Sequence, residues 1–218
     1  MRNTDNKLNL ARRIKRRGPI FTKGHFPTQK NGNTLYFESF LELSALLYFE
    51  MEATVIFIDT QPYTITYLIN GKMVRYTADI FVVYIDNTGE QKRLYIEVKP
   101  SRKLATTVNN HKFNTLKALY IKFGREFRTF NELDITRTKL KNLELLFQGA
   151  SVFGDVQPDI NKMLAILPKQ TTLGDAHQQI INAGLHENHI HYLLFEQYYC
   201  VDMDHPLTQD CLIYLNVT

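Results

Sequence analysis

The sequence lacks the features that several large classes of protein require. Its 218 residues include only two cysteines, Cys200 and Cys211, which cannot form a disulfide framework. The apolar runs are far too short to span a bilayer, and the basic start has no apolar segment typical of signal peptides. A Gly-rich phosphate loop, a Gly-x-Ser-x-Gly motif and internal repeats are also missing. Because 44% of the residues are hydrophobic, we expect a packed core. Together with the absences above, this composition fits a soluble intracellular protein with no membrane partner.

Acidic residues are almost absent from residues 1–30, where Asp5 alone opposes a series of basic side chains. Glycines and prolines after Arg17 would break a long helix, so we predict a short helix over Leu8–Arg16 and then an irregular arm. Such an arm suits contacts with nucleic-acid phosphates, and the alternative is a solvated tail. The basic side chains that we expect to contact DNA are Arg12, Arg13, Lys15, Arg16 and Arg17.

The charge changes sign along the chain. Residues 151–218 hold two lysines against eight carboxylates, a net charge of −6, so residues 1–150 carry +10. A split of this size predicts two domains with different partners, the first of which binds a polyanion. We therefore predict a basic arm over residues 1–30, a core domain over residues 31–150 and an acidic, partner-binding domain over residues 151–218.

The stretch Thr77–Pro100 has the pattern of an antiparallel hairpin. Its two apolar runs, Ile80–Ile85 and Leu94–Val98, flank a short turn that contains Gly89. If the hairpin folds symmetrically about the middle of this turn, residues whose numbers sum to about 176 lie opposite each other.

This register brings acidic side chains together. It places Asp79 across from Glu97, with Lys99 one step further along the same face. Two carboxylates at the end of a hairpin repel each other, and a divalent cation held between them relieves the repulsion. The alternative is a pair of exposed strand ends with an ion pair between Glu97 and Lys99.

Glu42 lies on a largely apolar segment, Ser39–Glu50, whose periodicity predicts a helix. A carboxylate on such a helix calls for an explanation, and one explanation is a functional role. The alternative is local, because Ser39 followed three residues later by Glu42 matches a capping box, in which the carboxylate only secures the start of the helix.

The surrounding segments predict an α/β core with a mixed sheet. Asn70-Gly71 predicts one hairpin, and the stretch Thr77–Pro100 directly after it predicts another. Together they predict a continuous meander of strands that carries the acidic residues. Beyond Pro100, the pattern predicts a helix, a strand and a second helix, over Val108–Phe123, Glu126–Phe130 and Thr136–Phe147.

Residues 151–218 resemble a winged helix-turn-helix. The patterns predict three helices and two strands, over Asp159–Ile166, Thr172–Ala183, Glu187–Glu196, Tyr198–Val201 and Cys211–Leu215. The acidity of this part favours a protein partner over DNA. Its histidines and cysteines match no standard zinc spacing, so we favour a structural role for them.

A Glu on a helix, then an Asp, then Glu-x-Lys on a strand is the layout of restriction-endonuclease-like nucleases. Beyond this layout, the sequence resembles the TnsA family, the endonuclease subunit of heteromeric cut-and-paste transposases. The resemblance spans most of the chain. It rests on Ala11-Arg12-Arg13-Ile14-Lys15, Leu41-Glu42-Leu43, Gln61-Pro62, Tyr76-Thr77-Ala78-Asp79 and Ile96-Glu97-Val98-Lys99-Pro100.

The resemblance implies a restriction-endonuclease-like core with a small winged-helix-like domain after it. It implies catalytic roles for Glu42, Asp79 and Lys99, and Mg²⁺, with Mn²⁺ as a substitute, held by Glu42, Asp79 and Glu97. The expected activity is cleavage of double-stranded DNA at the 5′ ends of a transposon in the bacterial cytoplasm. The expected partners are a TnsB-type transposase and, through the C-terminal domain, a TnsC-type AAA+ regulator, whereas CRISPR-guided or protein-guided target selection lies in other genes.

The sequence also departs from the family pattern. Ala78 replaces the proline that is common before the catalytic Asp, Ile80 replaces a common aromatic residue, and Glu97 stands where relatives carry Gln. Two other functions stay open from the residues: a stand-alone nuclease of restriction or resolvase type, and a non-catalytic DNA-binding adaptor in which the acidic cluster is structural.

Overall fold

The computed structural model describes residues 23–69, 71–153 and 159–216, and the chain divides into two compact units that meet between Asp134 and Ile135. In these ranges no helix is long and apolar enough to cross a membrane. The predicted helix over Leu8–Arg16 and the five basic residues predicted to contact DNA lie outside the described residues. The elements of the first unit are β1 (Gly24–Pro27), β2 (Thr34–Phe37), α1 (Phe40–Met51), β3 (Val55–Thr60), β4 (Thr64–Ile69), β5 (Lys72–Thr77), β6 (Ile80–Ile85), β7 (Gln91–Val98), α2 (Ser101–Leu104), α3 (Thr107–Lys122) and β8 (Glu126–Phe130).

A mixed sheet with the strand order β3-β6-β7-β8 forms the centre of the first unit. β3, β6 and β7 pair antiparallel, whereas β8 runs parallel to β7 after the crossover through α3. The predicted α/β class with a mixed sheet is thus confirmed. The pairing of Ile80 with Ile96 and of Ile85 with Gln91 is the register that the symmetric hairpin predicted.

The turn between β6 and β7 fixes this register locally. Oδ1 of Asp86 accepts hydrogen bonds from the backbone N–H groups of Thr88, at 2.9 Å, and Glu90, at 3.0 Å. Gly89 adopts a φ of 83°, in the left-handed region that favours glycine. Because the turn is held by its own residues, the register follows from neighbouring sequence rather than from distant contacts.

Helices cover both faces of the central sheet. On one face, Phe49 of α1 packs against Phe130 of β8, with their ring centroids 6.1 Å apart. Phe127 lies three residues earlier on β8 and therefore points to the other face, which α3 covers. The buried residues on that second face are Tyr67, Tyr76, Ala78, Tyr95, Phe113, Leu116, Tyr120 and Phe127.

The hairpin of β4 and β5 differs from the predicted meander. These strands pair with each other in a separate two-stranded sheet, while β3 pairs directly with β6. The reason is that Tyr67 and Tyr76 are buried in the aromatic cluster beside α3, so the hairpin packs over one face of the central sheet.

The predicted irregular arm also differs over its last residues. Gly24–Pro27 forms β1, which pairs antiparallel with β2. The chain after β1 is attached to the end of α1, because Oε2 of Glu50 accepts from the Thr28 hydroxyl at 2.6 Å and Oε1 accepts from the Gln29 N–H at 2.6 Å. This part of the chain therefore belongs to the folded unit.

The second unit combines helices with a small antiparallel sheet. Its elements are α4 (Arg137–Ser151), α5 (Ile160–Ile166), β9 (Gln170–Thr172), α6 (Leu173–Asn182), α7 (His189–Phe195), β10 (Tyr199–Val201) and β11 (Leu212–Leu215). The strand order is β10-β11-β9, so the two predicted strands are joined by a third that the sequence pattern missed.

The division between the units lies earlier than the predicted boundary near residue 150, and α4 belongs to the second unit. The physical reason is the packing of α4 against α7 and the loop that follows β10. Nδ2 of Asn142 on α4 donates to the carbonyls of Met203, at 3.0 Å, and His205, at 2.8 Å. Gly149 lets the ring of His191 approach the helix backbone closely.

Gly149→Ala should destabilise the protein, although alanine normally favours a helix by about 1 kcal/mol. A Cβ at position 149 would lie 2.6 Å from the Cβ of His191, so we expect an overpacking cost of about 1–3 kcal/mol. Thermal unfolding measures the loss. The double variant with His191→Gly is the control, because it removes both the ring and the Cβ of residue 191: if the alanine at 149 costs as much there as in the wild type, the proposed clash is wrong.

Candidate active site

Asp79 and Glu97 lie side by side at the end of the β6–β7 hairpin. The backbone N–H of Asp79 donates to the carbonyl of Ile96 at 3.0 Å, and Oδ2 of Asp79 accepts from the backbone N–H of Val98 at 2.9 Å. Both residues are almost fully buried, with 6% and 3% of their surface exposed. The structure therefore brings together the two carboxylates that the hairpin register predicted, and it buries them.

Tyr76 and Lys99 hold the Glu97 carboxylate from two sides. The Tyr76 hydroxyl donates to Oε2 of Glu97 at 2.7 Å, and Nζ of Lys99 lies 3.0 Å from Oε1. Nζ of Lys99 also lies 4.0 Å from Oδ2 of Asp79, and 34% of the lysine side chain is exposed. Lys99 thus links a buried acidic pair to solvent.

Burial and the close approach of like charges shift the pKa values of the residues in this cluster. Burial raises the pKa of Asp79 to about 7, with further increases from the nearby charges of Glu97 and Glu42, while Lys99 and the Val98 N–H act in the opposite direction. Burial by itself lowers the pKa of Lys99, but the carboxylates of Glu97 and Asp79 outweigh it, so the net shift is upward. Lys99 therefore stays charged at neutral pH.

Glu42 takes part in the capping arrangement that the sequence left open. Its backbone N–H donates to Oγ of Ser39 at 3.1 Å, and its Oε2 accepts from the Glu38 N–H at 2.7 Å. The Glu42 charge also contributes to the raised pKa of Asp79. The carboxylate therefore takes part in capping and also acts electrostatically on the acidic pair.

The oxygen atoms of the acidic pair are the ligands that a divalent metal ion prefers. Asp79 and Glu97 offer the hard oxygens that Mg²⁺ and Mn²⁺ prefer, and a cation between two buried carboxylates relieves their repulsion. Within the described ranges, however, no three His, Cys, Asp or Glu side chains lie close enough together to hold a metal ion. The pair fits a divalent cation, but the predicted ligands Glu42, Asp79 and Glu97 are not assembled as a group of three.

Two residues around the pair were given no role from the sequence. Tyr76 holds Glu97, and Gln61, which follows β3, donates its backbone N–H to the carbonyl of Asp79 at 3.0 Å. A tyrosine on a strand and a glutamine before Pro62 are ordinary residues in those positions. Only their burial and their partners from other strands indicate a function.

A mixed sheet that carries a buried carboxylate pair and a lysine on neighbouring strands is typical of α/β nucleases that cleave phosphodiesters with a divalent metal. A comparison with known protein families indicates which kind of nuclease this segment resembles. Residues 52–132 match the family described as TnsA-like endonuclease N terminal.

This segment is therefore a TnsA-like endonuclease domain, and the predicted resemblance to the TnsA family is confirmed over these residues. The match includes Asp79, Glu97 and Lys99, whereas Glu42 on α1 lies before its first residue. No curated protein sequence matches this chain.

Asp79→Asn should stabilise the metal-free protein near neutral pH and above. At an acidic pH close to 3.8, the ordinary pKa of an aspartate, it should have little effect on stability. The folded chain retains a proton on Asp79 up to about pH 7, whereas the unfolded chain releases it near the ordinary value of 3.8. Wild-type stability should therefore fall as pH rises through this window, and the neutral amide removes that decrease. Thermal unfolding with a chelator present measures the difference.

The exposed Asp210→Asn is the matched control for this experiment. We expect its stability to follow the wild type at every pH. An Asp79→Asn advantage that stays constant from acidic to alkaline pH would contradict the assignment of a raised pKa to Asp79.

Proposed function

We propose that this protein is a metal-dependent DNA endonuclease that cleaves the 5′ ends of a transposon during cut-and-paste transposition. The observation that carries the proposal is the contact of Asp79, Glu97 and Lys99 within a segment that matches TnsA-like endonucleases. Two buried carboxylates beside a charged lysine suit a reaction in which negative charge develops on a phosphate.

In this proposal each side chain has a separate task. Asp79 and Glu97 would hold the metal, and a bound Mg²⁺ or Mn²⁺ would supply charge that polarises the phosphate and favours ionisation of a water. The hydrogen bond from Tyr76 fixes the orientation of Glu97. Lys99, charged and partly exposed, donates to a phosphate oxygen and stabilises the developing charge.

Glu42 completes the proposed catalytic set from α1. Its charge already acts on Asp79, and its position in the first helical turn is fixed by Ser39. We propose that it would hold the metal together with Asp79 and Glu97. A cation is expected to release the proton that Asp79 otherwise retains near neutral pH.

The core is proposed to be restriction-endonuclease-like, with a winged-helix-like unit after it. The first part is supported by the central mixed sheet with α1 and α3 on opposite faces. The second is supported by the element order α5, β9, α6, α7, β10, β11 and by the sheet order β10-β11-β9, in which a strand between the helices joins the final hairpin.

The family resemblance suggests the partners, and the charge of each part agrees with them. We propose double-stranded transposon ends for the basic part and a TnsC-type AAA+ regulator for the C-terminal unit. Residues 135–218 hold nine carboxylates against five lysines and arginines, and this excess of negative charge disfavours phosphate contacts. A TnsB-type transposase would cut the 3′ ends and join them to target DNA. We propose a bacterial cytoplasmic location for this reaction, with target selection supplied by other proteins.

Asp79→Ala and Lys99→Ala should each reduce 5′-end cleavage by about a hundredfold or more while 3′-end cleavage persists, so that cointegrates replace simple insertions. A reconstituted transposition reaction with partner proteins, scored for each broken strand and for product type, measures this. Lys92→Ala is the control, because Lys92 lies on the same strand but pairs with Glu90 at the other end of the hairpin.

The result also separates the alternatives. Simple insertions at the wild-type level from Asp79→Ala would contradict the catalytic assignment and favour a non-catalytic adaptor. Strong sequence-specific cleavage by the wild-type protein alone, without partners, would contradict the heteromeric transposase and favour a stand-alone nuclease.

Replacing Arg12, Arg13, Lys15, Arg16 and Arg17 with glutamine should weaken DNA binding and its dependence on salt. Each phosphate contact that is lost lowers the slope of log affinity against log salt by about 0.9. Substitution is preferable to deletion of residues 1–30, because β1 and Thr28 belong to the fold. Binding titrations at several salt concentrations measure the slope.

The matched control replaces Lys162 and Lys169 of the acidic unit with glutamine, and it should leave the slope unchanged. An unchanged slope in the arm variant would mean that these five residues do not contact phosphates.

A further inference from the structure

Gln61 has a buried polar atom without a partner. The residue is 2% exposed, and its side-chain carbonyl oxygen, Oε1, accepts no hydrogen bond from any residue that the structure describes. A buried acceptor that stays unsatisfied destabilises the folded chain, so such an atom calls for an explanation. Leucine or methionine would fill the same space without that cost.

The sheet register and a backbone hydrogen bond place Gln61 beside the acidic pair. Thr60 of β3 pairs with Ile80 of β6, and the next residue, Gln61, donates its N–H to the carbonyl of Asp79 at 3.0 Å. Across β6 and β7, the same register sets Asp79 opposite Glu97. Residues that lie directly opposite in antiparallel strands carry their side chains on the same face. Asp79 and Glu97 therefore lie in one row, and the backbone hydrogen bond places Gln61 beside Asp79 at the end of that row.

The backbone at this position is also unusual. Gln61 has a φ of 50°, in the left-handed region that residues other than glycine rarely adopt, and it precedes Pro62. A strained conformation that keeps a long amide side chain buried at the strand end indicates a requirement for that side chain. A glycine would adopt this φ with less strain, but it would provide no side-chain oxygen.

We propose that the side-chain carbonyl of Gln61 is an oxygen ligand of the divalent cation held by Asp79 and Glu97, an inference that rests on the metal dependence in the proposed function. A carbonyl oxygen is a hard ligand of the kind that Mg²⁺ and Mn²⁺ accept. It adds no negative charge to a position where two carboxylates already repel each other. It would add an uncharged oxygen to the carboxylates of Glu42, Asp79 and Glu97 that we assign to the metal.

The test measures Mn²⁺ binding to the full chain in the absence of DNA, by calorimetry and by the electron paramagnetic resonance signal of free Mn²⁺. Gln61→Met keeps the side-chain volume and removes the oxygen, and it should weaken binding about tenfold or more. The control is Gln91→Met, at the opposite end of β7, which should bind like the wild type. Equal Mn²⁺ affinity in Gln61→Met and the wild type would overturn the assignment while leaving the proposed nuclease function intact.

If Gln61→Met does not fold, a second variant, Gln61→Glu, tests the same metal ligand. Gln61→Glu retains an oxygen at the same distance along the side chain, so Mn²⁺ should raise its melting temperature by more than that of the wild type. A smaller increase would contradict the proposal. Absence of Mn²⁺ binding by the folded wild-type protein would overturn both this inference and the metal dependence on which it rests.

Discussion

The burial of two carboxylates on neighbouring strands is the constraint on which the structure of the first unit depends. The turn at Asp86 and Gly89 fixes the pairing of β6 with β7, and this pairing places Asp79 beside Glu97. Charges in such a position are stable only when other groups compensate them. The Val98 N–H and the Tyr76 hydroxyl provide hydrogen bonds, and Lys99 provides the opposite charge.

The contribution of this cluster to folding stability does not explain its presence. Buried ion pairs can often be replaced by well-packed apolar side chains without loss of folding stability. The compensation is also incomplete, since the pKa of Asp79 remains raised to about 7 and Gln61 retains an unpartnered oxygen. Both features agree with the proposed binding of a divalent cation at this site. A cluster of this kind is characteristic of catalytic sites, where electrostatic strain serves the chemistry.

The second unit differs from the first in its core and in the sign of its charge. Its core rests on the packing of α4 with α7 and on the three-stranded sheet, and its charge is opposite to that of the rest of the chain. Separate cores allow separate partners, because each unit presents its own surface. The acidity of the second unit disfavours phosphate, which agrees with a division of labour between a part that acts on DNA and a part that binds protein.

The sequence by itself determined the features that depend on neighbouring residues, namely the β6–β7 register, the Ser39 cap of α1 and the α/β class. The tertiary structure decided what depends on distant contacts: the β4–β5 hairpin leaves the sheet because Tyr67 and Tyr76 pack beside α3. In the same way, β9 is a strand because it pairs with β11, some 40 residues later. The sequence could name Asp79, Glu97 and Lys99, but it could not assign roles to Tyr76 and Gln61, because burial and cross-strand partners exist only in the folded chain.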